Sequence, residues 1–375
     1  MDVKEKFKEI NLEIDLNKLV EIAKESAMIG SDILKRNYKN IQSISSKGRK
    51  GDLVTNVDLE VEKKIKKFLL DKTPDISILA EESGRCNNSY ELMWCIDPLD
   101  GTTNYSHGYP FFGSSIGLVY KNIPILGAIS VPYLNELYWG CINQGSYCNE
   151  TKLSVSKPNN LSESLLVTGF AYDRYEKEDN NYAEFCWLTH KTRGVRRGGA
   201  AAVDLALVAS GKLDGFWERG LEIWDIAAGA LIVYEAGGII SNYPTGDLDI
   251  NSGKILACSP SINCELKELR RCNCSHCRRK GYVMTTVNKD EFHLESGEDY
   301  LSIYQWNTKT AKHFFCKICG INTHNKRRTN PNAFGVNVGC LDGFDMSWIQ
   351  NVSDFTNGQE FTLENQKQGE ASLQK

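Results

Sequence analysis

The run Trp94-Cys95-Ile96-Asp97-Pro98-Leu99-Asp100-Gly101-Thr102-Thr103-Asn104-Tyr105 constrains this chain more than any other segment. Leu92 through Ile96 are apolar without interruption and read as a short buried strand ending at Asp97. Two carboxylates then emerge at its carboxyl end, where open α/β sheets place their ligands. Gly101, Thr102 and Thr103 follow as a turn whose free N–H groups can hold an anion. Acids this close repel unless cations sit between them, and Mg²⁺ prefers hard oxygen donors while keeping water and substrate phosphate in its shell. A plain Asp-Pro or Asp-Gly turn explains either dipeptide alone. It requires neither the second acid nor the paired threonines, so the whole run points to a metal-bound phosphate.

Around this run the apolar spacing alternates between helix and strand. Leu19, Val20, Ile22, Ala23, Ala27, Ile33 and Leu34 predict a helix over 17–38, followed by a short strand near 41–45 and a polar loop over 46–52. Val57, Val61, Ile65, Phe68 and Leu69 predict a second helix over 56–72. Strands are expected at 76–80, 92–96, 114–120, 124–132 and 165–168, and helices at 200–210 and 224–235, the last stopped by Gly237-Gly238. Such alternation argues for layered helices and sheets over residues 1–266. Beyond Lys267 the chain turns Cys- and Arg-rich, then strand-like over 281–306. A polar tail, 363–375, is expected to be disordered.

Composition narrows the function classes. A formal charge of −4 against 44 basic residues gives no global basic field, so neither nucleic acid nor an anionic membrane is expected as a partner. No apolar run approaches the roughly 18 residues that span a bilayer. Residues 1–15 mix Lys and Glu and lack the apolar core of a signal peptide, which reads as a cytoplasmic protein. Thirteen cysteines in such a chain argue for thiols and metal ligands over a disulfide framework, and six of them lie beyond residue 270.

Further acids belong with the central run: Glu81 and Glu82 at the end of the preceding strand, Asp225 at the head of a helix, and Asp58. Asp225 taken alone reads as an N-cap and Glu81 as a solvated loop carboxylate. Together with Asp52-Leu53-Val54-Thr55, Ala80-Glu81-Glu82-Ser83, Trp224-Asp225-Ile226-Ala227-Ala228-Gly229 and Glu235-Ala236-Gly237-Gly238, the pattern resembles the inositol monophosphatase family over residues 10–266. The resemblance implies an α+β layered sugar-phosphatase fold of alternating α/β/α/β/α layers, commonly dimeric, hydrolysing a phosphate monoester of a small polyol, with inositol 1-phosphate first and histidinol phosphate as the alternative. It implies Mg²⁺ held by Glu81, Asp97, Asp100, Asp225 and the Leu99 carbonyl. It also implies that Thr102, with Asp58, aligns or deprotonates the attacking water beside Glu81, that the Gly101 and Thr102 amides hold phosphate, and that Glu218 and Ala201 contact the alcohol portion together with Asp100 and Asp225. Lys47 falls on the matching loop near the metals. Arg196 and Arg197 are compatible with a second anionic group on the substrate or with an exposed turn.

Cys272-Asn273-Cys274-Ser275-His276-Cys277 and Cys316-Lys317-Ile318-Cys319-Gly320 have the thiolate spacing of zinc sites. With Tyr304-Gln305-Trp306 and Gly335-Val336-Asn337, residues 269–362 resemble the glutathione-dependent formaldehyde-activating, centromere protein V-like domain, a small all-β zinc-binding domain. By that resemblance Cys272, Cys274 and Cys277 bind one Zn²⁺, while Cys316 and Cys319 form half of a structural site. The upstream Cys-x-Cys pair that completes the second site is missing, so the segment reads as a partial domain. It is either a carbon–sulfur lyase on a glutathione–formaldehyde adduct or a zinc interaction module.

Overall fold

The computed structural model describes residues 14–48, 51–86, 91–177, 179–243, 246–263, 266, 284–294, 296–305, 311–326, 333–337 and 340. The chain divides into two compact units, Met1–Lys267 and Glu268–Lys375.

In the first unit, helices α1 (Leu16–Asn37) and α2 (Asn56–Lys72) cover one face of an eight-stranded sheet. Its order is β10 (Thr151–Lys152), β9 (Gly145–Cys148), β8 (Glu136–Cys141), β7 (Ile123–Val131), β6 (Gly113–Tyr120), β5 (Leu92–Asp100), β3 (Ser77–Ala80), and β4 (Gly84–Cys86) at the edge. The central strands are β3, β5, β6 and β7. They are buried on both faces, which is why they read as continuous apolar runs. Ser114 and Gly117, three positions apart on β6, point to opposite sides. A Cβ on Gly30 of α1 would stand 2.5 Å from the Ser114 hydroxyl, whereas one on Gly117 would stand 2.8 Å from the Ala227 Cβ. Helix α6 (Ile223–Glu235) therefore packs on the face opposite α1, close enough that only glycine fits beneath Ala227 and Ala228. Together with α5 (Ala201–Ala209) it separates this sheet from a second, five-stranded one of order β12 (Gly194–Arg196), β11 (Leu165–Thr168), β13 (Gly215–Arg219), β15 (Lys254–Cys258) and β14 (Ile239–Ser241). Helix α4 (Tyr182–Lys191) packs against β12 (Gly194–Arg196) beyond it, which completes α/β/α/β/α layering.

Strand β5 runs three residues past the end expected from sequence. Asp97 stands opposite Ser115 and Asp100 opposite Gly113, so one extra residue is accommodated as a bulge containing Pro98. Proline has no N–H to leave unpaired there. The bulge keeps both acids in the strand while changing the direction in which Asp100 points.

Among the described residues the second unit contains an antiparallel sheet of order β16 (Met284–Asn288), β20 (Ala333–Asn337), β19 (Asn322–Lys326), β18 (Lys312–Cys316) and β17 (Leu301–Tyr304). Phe314 stacks on His324 at 4.3 Å and Phe292 on Phe334 at 4.5 Å. Among the described residues, no helix is long and apolar enough to cross a membrane.

Candidate active site

Five elements of the first unit converge at the carboxyl end of β5. Glu81 follows β3, and its N–H donates to the Ile96 carbonyl at 3.1 Å. Asp97 accepts from the Leu99 N–H at 3.0 Å, which curls the bulge around its carboxyl group. Asp225 occupies the third position of α6, not its N-cap: Glu222 is the cap, and its N–H donates back to Asp225 at 2.7 Å in a reciprocal capping box. Asp100 takes the start of α5 as its partner, accepting from the Val203 N–H at 2.9 Å with the Ala201 and Ala202 amides beside it. Anion binding at a helix start is favoured by free N–H groups and the helix dipole together. Ala201 thus serves the site through its backbone.

Burial and mutual repulsion act on these groups together. Asp97 and Asp225 are pushed well above the ordinary carboxylate range, chiefly by burial and next by Glu81. Asp100 is raised to about 7 by burial, against the pull of the α5 amides. Lys47 supplies the countercharge nearby, 2.7 Å from Glu81 and 2.6 Å from Glu82, and both glutamates raise its own value despite partial burial. Glu62 of α2 supports this corner by accepting the Glu82 N–H at 2.7 Å.

A hydroxyl relay adjoins the acids. Thr102 opens α3 (Thr102–Ser106), with its Oγ1 3.0 Å from Asp58 Oδ1 and 3.1 Å from the Leu99 carbonyl. Asp58 is the third residue of α2, and its second oxygen accepts from the N–H and hydroxyl of Thr55. Burial raises Asp58 to about 6, so its carboxylate is a competent proton acceptor near neutral pH. Gly101, at φ 91°, makes the left-handed turn that precedes α3. The Thr55–Asp58 box, not read from the sequence, carries the local signal Thr-x-x-Asp that could have found it. The Asp100–α5 contact carries no such signal, because it joins residues about a hundred positions apart.

Glu218, on β13 (Gly215–Arg219), is buried and raised to about 8, with desolvation the largest cause and Arg197 opposing it. Its carboxyl fills the space a side chain on Gly169 would take. Cys316 ends β18 and Cys319 lies on the turn after it, where the Cys319 and Ile318 amides lower the Cys316 thiol. Cys272, Cys274 and Cys277 lie outside the described residues.

The groups gathered at the end of β5 are all hard oxygen: the carboxylates of Glu81, Asp97, Asp100 and Asp225 and the Leu99 carbonyl. That chemistry would fit Mg²⁺, whose binding would relieve the repulsion among them. As placed, no three of the described His, Cys, Asp or Glu side chains already surround a single point as metal ligands.

A layered α/β/α/β/α fold with buried acids beside the Gly101 turn places the chain in a class of phosphoric monoester hydrolases. Residues 15–275 match the model of the inositol monophosphatase family, and the chain belongs to that family of phosphoric monoester hydrolases. It is 47% identical over 255 residues to an inositol-1-monophosphatase of Synechocystis, covering 68% of this chain and 89% of that protein. It is 39% identical over 244 residues to a fructose-1,6-bisphosphatase/inositol-1-monophosphatase of Aquifex aeolicus, covering 64% and 92%. The solved inositol monophosphatase of Anabaena superposes with a TM-score of 0.62 at 44% identity, covering 68% of this chain and 95% of that one. Residues 259–357 match the glutathione-dependent formaldehyde-activating enzyme model.

Proposed function

We propose that the protein hydrolyses the phosphate monoester of a small polyol or related metabolite, inositol 1-phosphate first and the amino-alcohol ester histidinol phosphate as the alternative, in a Mg²⁺-dependent reaction. The observation that carries this reading is the convergence of Asp97, Asp100, Asp225 and Glu81 beside the Gly101 turn. Glu81, Asp97, Asp100, Asp225 and the Leu99 carbonyl would hold the ions, which supply positive charge to the reacting phosphate and lower the pKa of water. The Gly101 and Thr102 amides orient the phosphate. Thr102 accepts the proton of the attacking water as its own hydroxyl proton passes to Asp58, which Thr55 holds in place. Glu218 faces the alcohol portion. In keeping with the family resemblance, the protein acts as a cytoplasmic homodimer.

Phosphate release from inositol 1-phosphate and histidinol phosphate, with Mg²⁺ titrated, tests this. Asp225→Asn should abolish turnover with the fold intact, and Asp58→Asn should lower kcat by about 10²–10⁴-fold, the usual worth of general acid–base help. Near-normal turnover in folded Asp225→Asn protein would refute the metal assignment.

The Cys316 turn favours a second reading for the C-terminal unit, that of a zinc-binding module, because amides that stabilise a thiolate also favour its binding to Zn²⁺.

A further inference from the structure

We infer that Asn181 is a positioning residue for substrate specificity: through Gly169 and Trp217 it fixes where the Glu218 carboxyl stands, and so how the site accepts the alcohol portion of its ester. This rests on the phosphatase reading above, in which Glu218 faces that portion, and names the device that sets it.

Asn181 occupies the N-cap position of α4 with a left-handed backbone, at φ 69°, and is 1% exposed. Asparagine tolerates that conformation better than most side chains, and at an N-cap its oxygen ordinarily turns onto its own helix. Here the side chain is turned the other way. Its amide nitrogen donates to the Thr168 hydroxyl and to the Gly169 carbonyl, both at 2.7 Å, while its oxygen accepts the Trp217 indole N–H at 2.6 Å. Thr168 and Trp217 are register partners on the parallel pair β11 and β13, and the Thr168 hydroxyl in turn donates to the Trp217 carbonyl. One buried amide thus ties together the ends of two strands.

Glu218 lies between the points so held. Side chains alternate along a strand, which puts Trp217 and Arg219 on one face of β13 and Glu218 on the other. Asn181 holds Trp217, while Arg219 pairs with Glu184 at 3.3 Å and with Asp179, so the start of α4 clamps both neighbours of Glu218. On the opposite face the Glu218 carboxyl rests on Gly169, with Oε1 2.1 Å from where a Cβ would sit. Any shift of the Gly169 backbone is therefore a shift of the floor beneath that carboxyl. Phe170 anchors the same segment to α4, its ring centroid 5.1 Å from Tyr182 and 5.6 Å from Phe185. Beyond Arg219 only Gly220 and Leu221 precede Glu222, the cap of α6, so the clamped strand end leads directly into the helix that carries Asp225. A carboxyl that selects a hydroxyl by hydrogen bonding does so only while its support holds it in place.

Two esters separate this role from general damage: inositol 1-phosphate, whose ring carries hydroxyls for Glu218 to meet, and 4-nitrophenyl phosphate, whose leaving group carries none. Asn181→Gly, made in the full-length protein and measured at saturating Mg²⁺, removes the side chain while keeping a residue that accepts positive φ. It should lower the ratio of kcat/KM for inositol 1-phosphate to that for 4-nitrophenyl phosphate by about tenfold, chiefly through KM, the worth of one hydrogen bond to a charged group. Trp217→Phe, which deletes the indole N–H and keeps an aromatic ring, should lower the ratio by less. In a Glu218→Ala background the Asn181→Gly change should move the ratio less than about twofold, because its effect runs through that carboxyl. An unchanged ratio in both Asn181→Gly and Trp217→Phe, an equal loss on both esters, or a full additional loss in the Glu218→Ala background overturns the inference and leaves the phosphatase reading standing. Absence of inositol 1-phosphate turnover in the wild type would instead overturn the reading on which the inference rests, and the inference with it.

Discussion

At the scale of single residues, position in the chain says less about a carboxylate than its neighbours do. Asp97, Asp100 and Asp225 share a side-chain chemistry, yet one is turned by its own strand, one is held by the start of a distant helix and one closes a capping box. Gly101 shows the same dependence on surroundings. Its left-handed backbone and the Phe111 carbonyl, 3.0 Å from any added Cβ, leave no room for a side chain. Gly101→Ala should cost about 1–3 kcal/mol by equilibrium denaturation, the range for enforced positive φ. A variant as stable as the wild type would show that the turn relaxes freely. The run from Asp97 to Asn104 was readable in advance because its residue types are rare in combination. Asn104 was not readable as a brace for the Gly198–Gly199 turn, whose carbonyls its amide meets, since those partners lie about ninety residues away.

At the scale of elements, strands and helix starts act as holders of charge. β5 and the first turns of α2, α5 and α6 bring buried acids together, and the energetic consequence depends on pH. Asp58 is raised to about 6, Asp100 to about 7 and Glu218 to about 8. When a folded-state value lies above the unfolded one, the fold binds the proton more tightly. The stabilisation is then full below the unfolded value near 4 and is lost as pH rises through the folded value. In EDTA the Tm of the phosphatase unit should therefore fall from pH 5 to pH 8. Added Mg²⁺ should raise it more at pH 8 than at pH 5, because ligand binding stabilises the state that binds it. A Tm that is flat or rising over this range in EDTA would contradict the coupling of these acids. Helices α1, α2, α5 and α6 and strands β3, β5, β6, β7 and β11 (Leu165–Thr168) were legible within a few residues, since their apolar patterns are long or uninterrupted. Strands β8 to β10, between Glu136 and Lys152, and helix α4 escaped notice; they are short, partly exposed and weakly patterned.

At the scale of the whole molecule, the two units differ in what holds them. The continuous apolar core runs from Leu19 to Ala257, within the first unit. Among the described residues of the second unit the buried side chains are polar, Asn322 and His324, braced by aromatic stacking. A small sheet with so little apolar core needs a staple, and zinc thiolates are a common one. Removal of residues 269–375 should leave the phosphatase rate within about twofold, as expected for a domain with its own core. The zinc content of the purified protein should leave with the deleted segment. A deleted protein that is soluble but inactive, or one that retains stoichiometric zinc, would show this division to be wrong.

The sequence by itself determined the chemistry, because Asp-Pro-Leu-Asp-Gly-Thr-Thr compresses two acids, an anion-binding turn and a hydroxyl into a few residues whose properties are local. It also determined most layers of the first unit, since apolar periodicity records which faces are buried. Tertiary structure alone decided which amides hold Asp100, which acids raise one another and which strand ends Asn181 ties together. Each of those depends on side chains brought together from distant parts of the chain, and the field at a buried carboxyl is set by every group that folding places around it.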